Sequence, residues 1–235
     1  MAVKISLEEL LEAGAHFGHQ TKRWNPKMEE YLYGQENGVH IFDLTKTKPA
    51  IEEALAFLTG SVKEGKVVVL LGTKKQVKEK VKEVAVKAGI PYVNERWLGG
   101  TISNFEQIKR SLKKLSEMKE TMASGGYSEF TKKERLLIER EITRLERFFG
   151  GLTGVEKSPD VIFVVDVKKE ISAVKEAARK GVVVIGIVDS NSDPDLVDYV
   201  IPMNDDAAKA VEYILDKVGE AIADGKSKSK PAKKA

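Results

Sequence analysis

The sequence contains no cysteine and no long hydrophobic run, and each absence excludes a class of function. Without cysteine among its 235 residues, the chain has no disulfide bonds, thiolate metal sites, iron–sulfur clusters or cysteine nucleophiles. The longest apolar runs, such as 182–188, have seven residues, whereas a membrane-spanning helix needs roughly 18 to 20. The first residues also lack a hydrophobic signal core. We therefore expect a cytoplasmic protein.

The sequence also has no large excess of either positive or negative charge, except at the end of the chain, where lysines predominate. The sequence has 39 Lys and Arg against 36 Asp and Glu, a net charge of +3. Five lysines and one aspartate fall within 224–235, so residues 1–223 carry 34 basic and 35 acidic side chains. Partners therefore cannot be inferred from net charge. Residues 224–235 have no apolar periodicity and are predicted to be a disordered basic tail, which either solubilises the chain or contacts phosphates loosely.

Short runs rich in valine and isoleucine, bounded by turn residues, predict strands. These runs are 39–42, 67–71, 92–93, 161–165 and 182–188, with 200–201 as a candidate edge strand. Three of them are continuously apolar, which is typical of strands buried on both faces of a parallel sheet. Helical periodicity occurs between the strands, at 49–63, 76–87, 171–179 and 207–222. This alternation predicts an α/β fold with helices on both faces of the sheet.

Residues 105–150 interrupt the alternation with two heptad-like patterns. The apolar positions are Ile108, Leu112, Leu115 and Met122, then Ile138, Ile142, Leu145 and Phe149, with a glycine-containing loop between the two groups. They predict an antiparallel helical hairpin inserted into an α/β domain formed by 1–104 and 151–223. Residues 106–149 carry 11 Lys or Arg and eight Glu. The hairpin is either simply solvated or a protruding arm that grips a partner, and we favour the arm.

The segment that follows the run at 67–71 lies where α/β folds bind phosphates, but it lacks a phosphate-binding motif. Gly72, Thr73, Lys74 and Lys75 follow a predicted strand and precede a predicted helix. Neither G-x-x-x-x-G-K-[ST] nor G-x-G-x-x-G spacing is present. Thr73 is therefore predicted to cap the helix, which would leave both lysines free to meet a phosphate from outside.

Histidines and aspartates provide only weak candidates for a metal site or a catalytic site. His16 and His19 have a spacing that metals use, but further ligands are missing nearby, so no metal is predicted. His40 is predicted to be a satisfied core residue. Asp166 and Asp189 end two predicted parallel strands, where a magnesium-dependent phosphatase or isomerase would place them. No nucleophile–base pair accompanies them, and aspartates also cap turns. We therefore predict no catalytic residue and no cofactor.

Two tryptophans lie beside basic residues in loops that contain glycine or proline. Trp24 follows Arg23 and precedes Lys27 by three residues, and Trp97 follows Arg96. This pairing suits stacking on bases combined with contacts to phosphates. A tryptophan is more often part of a core, so the pattern alone is weak.

Several unusual strings, in order along 5–222, resemble one family. They are HFGHQ (16–20), RWNPKM (23–28), NGVHIFDL (37–44), GTKKQ (72–76), ERWLGGT (95–101), VDSNSDP (188–194) and DYVIP (198–202). On these strings the chain resembles the bacterial small-subunit ribosomal protein two family. The resemblance implies a flavodoxin-like three-layer α/β/α sandwich of five parallel strands with an inserted helical hairpin. It also implies that the protein is not an enzyme.

The resemblance further implies partners. Members of this family bind small-subunit rRNA, contact other small-subunit ribosomal proteins and help dock the large first protein that captures mRNA. We chose candidate RNA-binding residues by their chemistry: Arg23, Trp24, Lys27, Lys74, Lys75, Arg96, Trp97, Lys109, Arg110 and Lys113. The nearly neutral composition of 1–223 is unusual for an RNA-binding protein and suggests a peripheral position with a few basic patches. The alternatives are a metal-dependent enzyme at Asp166 and Asp189, or an adaptor whose hairpin binds only protein.

Overall fold

The computed structural model describes residues 4–228, which form two sheets surrounded by helices. In chain order the elements are α1 (Leu7–Glu12), β1 (Phe17–Gln20), β2 (Leu32–Glu36), β3 (Val39–Phe42), α2 (Leu44–Lys63), β4 (Val68–Leu71), α3 (Lys78–Ala88), β5 (Tyr92–Val93), α4 (Phe105–Ala123), α5 (Lys132–Phe149), β6 (Val161–Val164), α6 (Ile171–Lys180), β7 (Val183–Val188), β8 (Tyr199–Pro202) and α7 (Ala208–Lys228). Over this range no helix combines the length and apolar content needed to cross a membrane.

The main sheet has five parallel strands in the order β5-β4-β6-β7-β8. Side chains of β4 alternate between its faces. Val68 and Leu70 pack into the core shared with α2, α3 and α7, whereas Val69 and Leu71 pack into the core shared with α6. Helices cover both faces, which explains why β4 and β6 are apolar at every position. The predicted three-layer α/β/α sheet of five parallel strands is confirmed.

The strand at 39–42 lies outside the main sheet. β3 forms a second, antiparallel sheet in the order β1-β3-β2. Neither β1 nor β2 was predicted from the sequence, because FGHQ and LYGQE are largely polar or glycine-containing and mostly exposed. Pairing with β3 holds them in place.

Two helices extend beyond their predicted ends. α2 begins at Leu44 instead of 49, because the Asp43 carboxylate caps it by accepting a hydrogen bond from the Thr45 amide at 3.0 Å. α7 continues through 224–228, a segment predicted to be disordered. Gly225 lets this end of α7 lie against Val62 of α2, since an added Cβ would come within 2.9 Å of it. The rest of the predicted tail, 229–235, lies outside the described residues.

Helices α4 and α5 occupy the region with the heptad-like patterns. The Thr131 side chain and Glu134 form a capping box at the start of α5. The helices are joined by ion pairs from Lys114 to Glu141 at 3.2 Å and from Lys119 to Glu146 at 2.5 Å. Buried side chains at their base, Phe105, Ile108, Leu115, Leu145 and Phe149, join the core on the α6 side of the sheet. The antiparallel inserted arm and the domain boundaries at 104 and 151 stay predictions.

Candidate functional site

The carboxyl edge of the main sheet is where this topology places a site. β4 and β6 are neighbours, but the chain leaves β4 toward β5 on one side and leaves β6 toward β7 on the other. Such a switch point opens a crevice between the loops that follow the two strands, and α/β proteins bind ligands there. Lys74 follows β4, and Asp166 follows β6. Asp205 and Asp206 reach the same place from the loop that follows β8.

The Lys74 ammonium group lines this crevice together with carboxylates from its neighbouring loops. Its Nζ lies 3.0 Å from Asp166 Oδ2. It lies 2.7 Å from a carboxylate oxygen of Asp205 and 2.7 Å from one of Asp206. The Lys74 side chain is only 12% exposed. Burial by itself would lower the pKa of Lys74, but the carboxylates outweigh burial and raise it above its ordinary value. The charge of Lys74 is therefore neutralised by carboxylates of the same chain.

Asp205 is the most strongly perturbed carboxyl group of this cluster. Burial, together with the nearby negative charges of Asp166 and Asp189, raises its pKa to about 8 despite the hydrogen bond from Lys74. Burial also raises the pKa of Glu170, whose carboxylate accepts a hydrogen bond from the Thr73 hydroxyl. Near neutral pH a proton on Asp205 reduces the negative charge that must be buried.

His19 connects the small sheet to this cluster. It lies on β1, and its Nδ1 is 2.9 Å from Asp189 Oδ1, while Nε2 is 3.4 Å from Asp206 Oδ2. The hydrogen bond to Asp189 raises the pKa of His19. Asp189 is fully buried and also accepts hydrogen bonds from the amides of Ser190 and Asp205. The Asp189 carboxylate thus ties β1 to the loops after β7 and β8.

These contacts describe an anchoring cluster, which differs from the sequence expectation in two ways. Thr73 does not cap α3, because that helix begins at Lys78 with Val77 at its N-cap. Lys74 is not free to meet an external phosphate. Within 4–228 no group of three or more acidic or histidine side chains is arranged to hold a metal ion.

Trp97 is part of the core. It is 6% exposed, and its indole Nε1 donates a hydrogen bond to Glu176 Oε2 at 2.9 Å. The other oxygen, Oε1, accepts hydrogen bonds from the amides of Gly100, Ile102 and Ser103 at 2.8 to 3.0 Å. The Glu176 carboxylate therefore fixes the loop after β5 and holds the Trp97 ring in the core, and the predicted stacking of Trp97 on RNA stays a prediction.

Trp24 and Lys27 lie in the loops next to the small sheet. The Trp24 ring is half-buried against His40, with ring centroids 4.8 Å apart. Lys27 Nζ forms ion pairs with Asp193 at 3.0 Å and with Asp195 at 2.5 Å. His40 is buried as predicted, but its Nε2 has no hydrogen-bond partner among the described residues, so the expectation of a satisfied histidine is wrong.

The remaining candidates for RNA binding are exposed. Among the described residues Arg23, Lys75 and Arg96 form no ion pair within 4.0 Å. Lys109, Arg110 and Lys113 lie on the first half of α4, and Lys113 forms an ion pair with Glu117 at 3.6 Å. The ten candidates thus do not converge on one surface. Their RNA contacts stay predictions.

Sequence reasoning did not identify the roles of Glu176 and Asp205. Glu176 lies within the helical pattern ISAVKEAARK, where a glutamate is typical of a solvated face. Asp205 lies in a polar turn, where an aspartate is typical of a cap. No local signal separates a carboxylate that anchors distant loops from a solvated one, because its partners lie far away in the sequence.

Comparison with known proteins gives one consistent result. Residues 10–225 match the family model described as ribosomal protein S2. The small ribosomal subunit protein uS2 of Coprothermobacter proteolyticus is 45% identical over 226 residues, which cover 96% of this chain and 84% of that protein. The protein of the same name from Chloroflexus aurantiacus is 46% identical over 221 residues, which cover 94% of this chain and 93% of the relative. The resemblance inferred from the motifs is confirmed.

Proposed function

Because this chain belongs to the ribosomal protein S2 family, whose members are structural and non-enzymatic components of the ribosome, we propose that it binds small-subunit rRNA and neighbouring ribosomal proteins. Its role is a structural one in the small ribosomal subunit. The finer proposal concerns how it is held there: by contacts between exposed basic side chains and RNA phosphates, and by contacts between the helices α4 and α5 and protein. We place this assembly in the cytoplasm.

The observation that carries the proposal is the contrast between Lys74, which is paired within the chain, and the exposed cations. At the switch point, Lys74 is neutralised by carboxylates of the same chain. On the surface, Arg23, Lys75 and Arg96 have no ion-pair partner among the described residues. Exposed cations contact phosphates at little desolvation cost, and such contacts position a protein on nucleic acid without reading its sequence. The arrangement favours surface binding over catalysis in a crevice.

The hypothesis of a magnesium-dependent enzyme at Asp166 and Asp189 is wrong, because the family is non-enzymatic. The geometry gives a physical reason. Asp166 pairs with Lys74 and also accepts a hydrogen bond from the Lys169 amide at 2.8 Å. Asp189 is fully buried, and its carboxylate is hydrogen-bonded to His19 and to the backbone amides of Ser190 and Asp205. Both carboxylates hold loops in place.

We propose that α4 and α5 dock the large first protein that captures mRNA. Three apolar side chains in this region are exposed: Phe130 by 44%, Leu136 by 46% and Leu137 by 54%. Leu136 and Leu137 lie in the second turn of α5 and contribute little to the core of this chain. Exposed apolar side chains on a helix surface are typical of protein contacts. If α4 and α5 contact protein and no rRNA, the alternative of an adaptor whose hairpin binds only protein holds for this region.

Crosslinking in purified small subunits tests the proposal. A photoreactive amino acid at Arg96 or Lys75 should attach the chain to rRNA, and one at Leu137 should attach it to protein. An exposed position such as Glu220 on α7 provides a background rate. If the Arg96 and Lys75 probes give only background crosslinks to rRNA, the proposed contacts at these residues are wrong.

A further inference from the structure

The amino edge of the main sheet, opposite the crevice at Lys74, carries a groove with a strong excess of basic side chains. The groove lies where β4, β5 and β6 begin, and it is bordered by the ends of α2 and α7. Its charged lining residues are Lys63, Lys66, Lys109, Lys157, Lys226 and Lys228, against Glu64 and Glu156. The RNA contacts proposed above at Arg23, Lys75 and Arg96 do not involve this groove.

Two neighbouring depressions extend the groove. One shares Lys66 with it and adds Lys180 and Asp160. The other shares Lys109 and adds three charged residues from the first half of α4: Glu106, Arg110 and Lys113. We call this continuous surface, from Lys180 through Lys66 and Lys63 to Lys113, the amino-edge track. It gathers three of the candidates chosen from the sequence onto one surface.

The charge excess of the track is a local feature. Residues 1–223 as a whole carry one more acidic than basic side chain. Their share of the track has seven basic and four acidic lining residues, so the rest of 1–223 carries an acidic excess. A polyanion would therefore bind in a preferred orientation, with the track toward it. Lys228, the last residue described, lines the groove, and the sequence that follows adds lysines at 230, 233 and 234.

Several cations of the track are not neutralised by the chain itself. Among the described residues, Lys63, Lys109 and Lys180 form no ion pair within 4.0 Å. By contrast, Lys66 pairs with Glu64 at 2.8 Å, and Lys157 reaches Asp160 only at 3.9 Å. On the carboxyl edge, the ammonium group of Lys74 forms ion pairs with three carboxylates, those of Asp166, Asp205 and Asp206.

Backbone geometry keeps the groove open. Gly65 and Gly154 border it with φ of +77° and +84°, the left-handed region that favours glycine. A Cβ built on either glycine would have no heavy atom within 4 Å. The backbone there faces open space, so a sugar–phosphate chain can approach it without displacing side chains.

We propose that the amino-edge track is the surface that binds the phosphodiester backbone of small-subunit rRNA. The inference rests on the proposed function and refines it by placing the main RNA contact at the amino edge of the sheet, opposite the loops after β4 and β5 that carry Lys75 and Arg96. Recognition is by charge and shape, because lysine ammonium groups contact phosphates without reading bases. The chain would then present its acidic surfaces away from the RNA.

Charge reversal on matched pairs of lysines tests the proposal. The track variant carries Lys63→Glu and Lys109→Glu. The control carries Lys82→Glu and Lys168→Glu, which change the net charge equally at exposed lysines that have no ion pair among the described residues and lie outside the track. Binding of the full chain to purified small-subunit rRNA is measured between about 50 and about 200 mM salt. Thermal unfolding of each variant checks that the fold is intact.

We expect the track variant to bind at least about tenfold more weakly than the control and to lower the salt-dependence slope by about two phosphate contacts. Equal loss in both variants, or loss in the control alone, would overturn the track while leaving the proposed function in place. Failure of the wild-type chain to bind rRNA at low salt would overturn both. The track and the proposed function can therefore fail separately.

Discussion

Lys74 and Asp166 form an ion pair that joins the loops after two neighbouring strands of the main sheet, β4 and β6, at its switch point. Lys74 Nζ lies 3.0 Å from Asp166 Oδ2, and the two side chains are 12% and 9% exposed. The residues come from the loops after β4 and β6, which are separated by about ninety positions in the sequence. Their pairing holds together the two loops that border the usual ligand crevice of an α/β sheet.

Replacing Lys74 tests this joint. Lys74→Met keeps much of the side-chain volume but leaves Asp166 and Asp205 without their common cation. Breaking a buried ion pair from one side costs about 3 to 5 kcal/mol, so we expect a loss of about 3 kcal/mol in the free energy of unfolding, measured by urea denaturation. Lys168→Met, at an exposed position, should change stability by no more than about 0.5 kcal/mol. Equal stability of the two variants would contradict a structural role for the cluster.

The perturbed pKa values predict that stability falls as pH rises through neutrality. In the folded chain Asp205 has a pKa of about 8, whereas in the unfolded chain it ionises near its ordinary value, so unfolding releases a proton between the two. His19 acts in the same direction. Its folded pKa is raised, so its contribution is complete below the unfolded pKa and is lost as pH rises through the folded pKa. Asp205→Asn should flatten the decline in urea-unfolding free energy from about pH 6 to about pH 8. A decline of unchanged steepness would show that Asp205 does not hold this proton.

Glu176 is predicted to control the loop after β5. Glu176→Ala would leave the Trp97 indole and the amides of Gly100 and Ile102 without their acceptor. Unsatisfied buried donors cost about 1 to 3 kcal/mol each, so we expect destabilisation of about 2 to 4 kcal/mol in urea. Amide hydrogen exchange at 99–103 should accelerate more than exchange in β6. Lys175→Ala, at an exposed position next to Glu176, serves as the control. It should leave amide exchange at 99–103 at the wild-type rate.

The proposed protein contact of α5 makes a separate prediction. Leu136→Lys together with Leu137→Lys should leave the free energy of unfolding within about 0.5 kcal/mol of wild type, because both side chains are exposed. The same variant should still join small subunits but should retain the large mRNA-capturing protein less well, as measured by quantitative mass spectrometry of purified subunits. Lys133→Glu, on the same helix, tests whether a change of charge alone has this effect. Full retention by the leucine variant would remove these residues from the contact.

The sequence predicts the main sheet well because its signal is local. Val68 to Leu71 and Val161 to Val164 are apolar at every position, and only burial on both faces accounts for that. The family motifs likewise identify the chain's family directly. The site was harder to predict, since Trp97 and Lys74 occur in loops that look basic and aromatic in isolation. Their burial depends on Glu176 and Asp205, which approach from distant parts of the chain.

Sedimentation of a native lysate, with this chain detected in every fraction, tests the central claim most directly. The account predicts that at low salt the chain comigrates with small ribosomal subunits and that the association weakens as salt increases, because phosphate contacts release counterions. If the chain stayed at the top of the gradient at low salt, its assembly into the small subunit through RNA and protein contacts would be contradicted.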